Sequence, residues 1–248
     1  DQLASQLSKS ASLLQRVPLR LPVSDVPVIA ITGEIFVRRD GLSRRYLTEH
    51  LAQRGFATRC APVAEWIHYT DYTIRKKYSD HPRKRLDEKL SALIRRRILQ
   101  KDEQWIKGLL QPSGLTHCEP IRIEEVIDTA KPYISPYLGG EAILTVGSSL
   151  REIVSEVCGV IAIGPFGCMP NRIAEAILNE VMHREDKLAS EPMNPRLPVI
   201  LSDVDDLPFL AIESDGSPFP QLIHAKLEAF CLRARRLHQR MQHSLNAN

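Results

Sequence analysis

The apolar positions fall into short β-branched runs separated by longer stretches of helical period. Val28 to Thr32 (VIAIT) and Val160 to Ile163 (VIAI) are followed at once by Gly33 and Gly164. Near-continuous apolar runs of this length predict strands covered on both faces, as in a parallel sheet. Phe56 to Pro62 and Pro208 to Ile212 read as two more strands, and Val199 to Leu201 as strand-like. Between the first two strands, Tyr46, Leu47, His50 and Leu51 share one face of a helix over 43–53, stopped near Gly55. A strand, helix and strand joined by short connections make parallel pairing the natural outcome.

Residues 159–178 (GVIAIGPFGCMPNRIAEAIL) organise the rest. After the apolar run, Gly164, Pro165, Phe166 and Gly167 predict a tight turn. Ile173, Ala174, Ile177 and Leu178 then repeat at helical spacing. Pro170 suits a first helical turn, where its missing N–H has no helical partner to lose. Cys168 is therefore expected on a strand-to-helix loop, at or just before a helix N-terminus. Free backbone N–H groups and the positive dipole end favour a thiolate there.

Further helices are expected over 2–16, 64–110, Ile123 to Ala130, Glu141 to Val157, and from Gln221 onward. Loops or linkers are expected over 17–27, 111–120, Pro132 to Gly140 and Glu191 to Pro198. On the last helix, Leu222, Ala225, Leu227, Ala229, Phe230 and Leu237 are expected to pack. The fold class is α/β: an open, mostly parallel sheet of about four strands, with helices on both faces and a basic helical insertion. The expected organisation is an N-terminal helix and linker over 1–27, and an α/β domain over 28–248 with the insertion at about 64–110. His81-Pro82 marks a break inside that insertion. Its bases include Arg75, Lys76, Lys77, Arg83, Lys84, Arg85, Lys89, Arg95, Arg96, Arg97, Lys101 and Lys107. They read as an anion- or partner-binding arm, or as a solvated face with Leu86, Leu90, Leu93, Ile94 and Ile98 turned inward.

Composition narrows this picture. At 248 residues the chain can bury one sizeable core or two small ones. A net charge of +3 is too small to argue for nucleic acid, and the insertion lacks the aromatic interleaving of a single-strand binder. No apolar run approaches the roughly 20 residues of a membrane span. The first residue is Asp, which reads as a processed chain or a piece of a longer one. Five cysteines, Cys60, Cys118, Cys158, Cys168 and Cys231, include no CxxC pair; this points to a reducing, cytoplasmic setting.

In open parallel sheets, ligands bind at the carboxyl ends of the strands. The loops expected there hold Gly33-Glu34, Cys60-Ala61-Pro62, Gly164 to Cys168, and Glu213 to Gly216. Gly33, Glu34, Gly164 and Gly167 are the candidate cofactor-binding residues, at a helix N-terminus suited to an anion. GPFGCMP is neither GxGxxG nor a Walker loop. Cys168 has three readings: a metal–sulfur ligand, a nucleophile, or a small residue filling a tight turn. A nucleophile needs a histidine base, and among these loops only His224, on the last helix, lies near in sequence. A cluster ligand needs partner thiolates, for which Cys60 at an adjacent strand end is a candidate. Cys158 is expected at the opposite sheet edge and Cys231 in the core. His117-Cys118, and the acids Asp203, Asp205 and Asp206, are weak metal signals.

GEIFVRRD (Gly33 to Asp40), APVAEW (Ala61 to Trp66), GGEAILTVG (Gly139 to Gly147), GPFGCMPNRIAEAIL (Gly164 to Leu178) and SPFPQLIHAKLEAF (Ser217 to Phe230) resemble one family. It is the C-terminal region of large acyl-CoA dehydratase activase-related proteins, also described as activators of 2-hydroxyglutaryl-CoA dehydratase or CoA-substrate-specific enzyme activases. That region is similar to the iron–sulfur subunits of 2-hydroxyacyl-CoA dehydratases. The resemblance runs from about Val28 to Phe230. It implies an upstream ATPase module of the actin/Hsp70-like type and ATP-driven electron transfer between iron–sulfur centres. By position, Cys168 matches the cysteine of GPFGCMP, which implies a metal-ligand role. The chain itself has no ATPase motif and one matched cysteine, so a [4Fe–4S] cluster is expected of the full-length protein and not of this piece alone. The implied partners are the ATPase module, acyl-CoA or a dehydratase component. The alternative is a non-redox module that binds acyl-CoA or another anion through Arg38 or Arg39, or that docks other domains.

Overall fold

The structure, a computed structural model, describes residues 2–79, 86–116 and 119–246. The first elements are α1 (Gln2–Gln15), β1 (Val28–Gly33), α2 (Leu47–Gln53), β2 (Ala57–Cys60), α3 (Val63–Ser79), α4 (Leu86–Leu110) and α5 (Ile123–Ala130). They are followed by α6 (Ala142–Glu152), β3 (Gly159–Pro165), α7 (Met169–Val181), α8 (Arg184–Ser190), α9 (Leu197–Ile200), β4 (Phe209–Ser214) and α10 (Gln221–Asn246). Two units result. One comprises Asp1–Asp25 and Pro62–Glu124; the other comprises Val26–Ala61 and Glu125–Asn248. In chain order the helical segment enters the α/β unit after β2.

The α/β unit is built on one all-parallel sheet of order β2-β1-β3-β4. Ile31 pairs with Cys60 on one side and Ile161 on the other, and Ile163 pairs with Ile212. The central strands β1 and β3 are buried almost throughout, which explains their near-continuous apolar runs. Ile29, Ile31, Ile161 and Ile163 pack with Leu47 and Leu51 of α2 and with Leu227, Phe230 and Cys231 of α10. The alternate residues Ala30, Val160 and Ala162 face the other side, where α6 packs against β1 and α7 against β3.

Several expectations shift. Val199 to Leu201 is not a strand: the segment is the short helix α9, started by Pro198 in its first turn. Three apolar residues cannot distinguish period 2 from period 3.6, and the proline decides. The helix before β3 ends at Glu152, because Ile153 turns extended and Val154 takes φ 69°. The helix after β1 begins only at Leu47. Arg45 and Tyr46 are left-handed, so Tyr46 points outward while Leu47 and Leu51 are fully buried. On α10 the buried positions are Leu227, Phe230, Cys231, Ala234 and Leu237, whereas Leu222, Ala225 and Ala229 are exposed.

The helical unit packs α4 against α1 and α3. Polar bonds join α3, α4, the segment before α5 and the first turn of α5. Glu103 sits 2.9 Å from His68 Nε2 and 2.7 Å from Lys107 Nζ, and accepts the Ile121 N–H at 3.1 Å. Arg75 bonds Asp71 at 2.9 Å, and Arg75 and Arg96 converge on Glu124 at 2.9 and 2.8 Å. Among the described residues of this unit, only Ala11, Tyr69 and Ile123 are buried apolar side chains. The described residues of α4 expected to turn inward do not. Leu90, Leu93, Ile94 and Ile98 are 50–59 % exposed, and Leu3, Leu13 and Leu14 of α1 are exposed too. The side chain of Leu86 and the His81-Pro82 break lie outside the described residues.

Candidate functional site

The strand order places a topological switch between β1 and β3. β1 connects through α2 to β2 on one side, while β3 connects through α7, α8 and α9 to β4 on the other. The loops leaving these two strands diverge, and in open parallel sheets such a switch point is the general place for a ligand.

The loop after β1 uses its polar groups to hold itself. Gly33 has φ 101°, and a Cβ there would lie 2.2 Å from the Ile163 carbonyl oxygen of β3. Glu34 donates its N–H to that same oxygen at 2.9 Å. Its carboxylate accepts the Phe36 and Val37 N–H groups at 3.0 and 2.7 Å. Arg38 is 5 % exposed and donates to the Gly33 carbonyl at 2.6 Å; Arg39 donates to the Ala61 carbonyl at 2.9 Å. Both guanidinium groups thus close the loop onto the sheet.

The loop after β3 is a turn with Gly167 at φ 74°. Phe166 N–H bonds the Ser214 carbonyl at 3.0 Å, and Cys168 N–H bonds the Pro165 carbonyl at 3.1 Å. Cys168 is the N-cap of α7, in extended conformation, and Pro170 lies in the first turn. Its side chain makes no capping bond, so the first-turn N–H groups of Met169 and Asn171 have no helical acceptor. Cys168 is half-buried, between open solvent and the core. Phe166 and Met169 beside it are exposed.

Two features of this turn had no signal in the sequence. Asn171 is 3 % exposed, and neither side-chain polar atom has a hydrogen-bond partner. A Cβ on Gly164 would come within 2.6 Å of its Cγ, so the glycine makes room for the amide. Glu213, at the end of β4, lies 3.4 Å from the Gly167 N–H and 3.5 Å from Arg172. A carboxylate therefore already faces this positive turn. Asp215 accepts the Ser217 N–H at 2.8 Å; that backbone bond holds its pKa below the ordinary value.

The other cysteines separate clearly. Because β1 lies between β2 and β3, Cys60 is not on the strand next to Cys168, a correction to the adjacent-strand reading. Its Sγ lies 3.3 Å from the Arg38 carbonyl. Cys158 is buried just before β3, 3.2 Å from the Val28 carbonyl, and burial pushes its pKa up to about 12. Burial also raises the Cys231 pKa. His117 and Cys118 lie outside the described residues. Asp203 pairs with Arg240 at 3.0 Å and Asp206 with His183 at 2.9 Å, which accounts for two of the three clustered acids. No group of three His, Cys, Asp or Glu placed to hold one metal ion occurs among the described residues.

A cavity of about 460 Å³ lies elsewhere in this unit, beside the start of β3. Its acids are spent: Glu125 pairs with Arg151, Asp128 with Lys131, Glu156 with Arg59 and Glu191 with Lys187. It reads as the mouth of a structural ion network. No described helix is long and apolar enough to cross a membrane. Compared with known proteins, the chain matches no protein-family model, no curated protein and no solved structure.

Proposed function

We propose that the α/β unit is a dehydratase-like electron-transfer module, part of a cytoplasmic activator-type protein for 2-hydroxyacyl-CoA dehydration. On this reading Cys168 supplies one thiolate to an iron–sulfur centre whose other ligands lie outside the described residues. The supporting observation is the placement of Cys168. It is half-buried at the N-cap of a 13-residue helix, at the carboxyl edge of a parallel sheet, whereas Cys158 and Cys231 are buried. Among the described residues, no group of three His, Cys, Asp or Glu could complete such a centre around it. Such a cluster, when bound, supplies a one-electron store.

The chain's own residues account for the rest of the reading. The α7 dipole and its open first-turn N–H groups suit an anionic group held at this turn. Gly167 carries no side chain over the turn, and Pro170 fixes the entry of the helix. The upstream ATPase module is the proposed partner and source of electrons. Acyl-CoA binding without redox chemistry is the weaker reading. Arg38 and Arg39 are engaged with carbonyls, and Glu213 faces the turn where a phosphate would sit. The test is anaerobic reconstitution of the full-length protein with iron and sulfide. Cys168→Ala should lower the iron retained per chain, and an unchanged iron content would overturn the ligand role.

A further inference from the structure

We propose that α4 carries a docking face for an acidic amphipathic helix of a partner protein. Leu90, Leu93, Ile94 and Ile98 fall at i, i+3, i+4 and i+8, so they form one stripe along the helix. All four are at least half exposed. Arg97 and Lys101 continue the same face at i+7 and i+11, and both are exposed. The opposite side of α4 is occupied by α1 and α3 of its own unit. With few buried apolar side chains beneath it, the unit gains from covering this stripe.

The charges identify the occupant. A second copy packed on the stripe would bring Arg97 and Lys101 against like charges and is disfavoured. A helix lying on a lipid surface keeps its cations on the polar face, away from the buried apolar one. Here both cations stand within the apolar face. A partner helix with apolar side chains at helical spacing, and Asp or Glu opposite Arg97 and Lys101, satisfies the stripe and both cations together.

The experiment places a photo-crosslinking amino acid at Ile94 of the full-length protein in its native cells and identifies the joined peptide by mass spectrometry. The expected product is an amphipathic segment of another polypeptide that carries acids at matching spacing. Arg97→Glu with Lys101→Glu should cut the yield by about tenfold or more, and raised salt should cut it as well. Circular dichroism checks that the variant keeps its helix content, and the salt dependence of the unmutated protein gives an independent reading. Crosslinks to a second copy, to lipid, to this chain's own α/β unit or to a segment lacking acids would overturn the proposal. So would the absence of any crosslink, or a yield indifferent to charge reversal. Failure here leaves the iron content of Cys168→Ala untouched, so the two proposals stand or fall separately.

Discussion

Cys158 and Cys168 flank the same strand, yet their thiols have different chemistry. One is sealed in the core with its pKa pushed up to about 12 by burial; the other is half-buried at the N-cap position of α7, where it makes no capping bond. Native protein treated with iodoacetamide at pH 8 should therefore lose the Cys168 thiol before those of Cys158 and Cys231, which stay protected until the chain unfolds. Peptide mapping over time checks this, and equal labelling rates at Cys158 and Cys168 would contradict the placement. Gly33 is as constrained as these thiols. Gly33→Ala adds a carbon 2.2 Å from the Ile163 carbonyl oxygen at φ 101°, where an L side chain is strained. A loss of at least about 2 kcal/mol is expected in urea unfolding. This glycine was legible as a strand terminator. Its close approach to β3 was not, because that contact is set by sheet order.

At the level of elements, β1, β3 and α7 were readable because their burial is nearly uniform along the strand or periodic along the helix. α4 differs from its reading. Leu90, Leu93, Ile94 and Ile98 recur at helical spacing but face outward, since period reveals an apolar stripe without revealing what covers it. Lys187 was invisible for a related reason. It is fully buried, and its ammonium group caps α6 by bonding the Leu150 and Arg151 carbonyls at 2.8 and 3.1 Å and Glu191 at 2.5 Å. Burial pushes its pKa down, but the bonds hold it in place. Lys187→Met leaves those carbonyls without the ammonium group and Glu191 without its charge partner, held only by Ser155 and Asn194, and about 3 kcal/mol of destabilisation is expected. In the helical unit, burial works against the Glu103 and Glu124 carboxylates. Bonds from His68 and Lys107 to the first, and from Arg75 to the second, prevail and hold both below the ordinary value of 4.5. A depressed carboxylate pKa stabilises the fold above the unfolded value, and that stability is lost as pH falls through the folded one. Trp66 and Trp105, the chain's two tryptophans, both lie in this unit. Their fluorescence should report its acid unfolding below about pH 4.5, before the α/β unit loses its circular dichroism. Simultaneous loss of both signals would show that the polar network is not the weaker link.

At the scale of the whole molecule, two units of different construction share one chain. The α/β unit has a continuous apolar core around β1 and β3, whereas the described part of the helical unit buries few apolar side chains and ties α3, α4 and Glu124 together by ion pairs. The parallel sheet and its carboxyl-edge loops follow from short apolar runs and short connections; the strand order does not, and it sets Cys60 one strand away from β3. The Glu213 carboxylate reaches the turn from another strand, and no local pattern marks it, the engagement of Arg38 or the orphaned amide of Asn171. What unites the functional reading is one sulfur at the N-cap of α7. Electron paramagnetic resonance of the reduced, anaerobically reconstituted full-length protein tests it most directly, with Cys168→Ser and Cys60→Ser compared. Replacing a ligating sulfur by oxygen should change the cluster signal in the first variant and leave it intact in the second. Identical spectra from unmutated protein and Cys168→Ser would contradict the assignment.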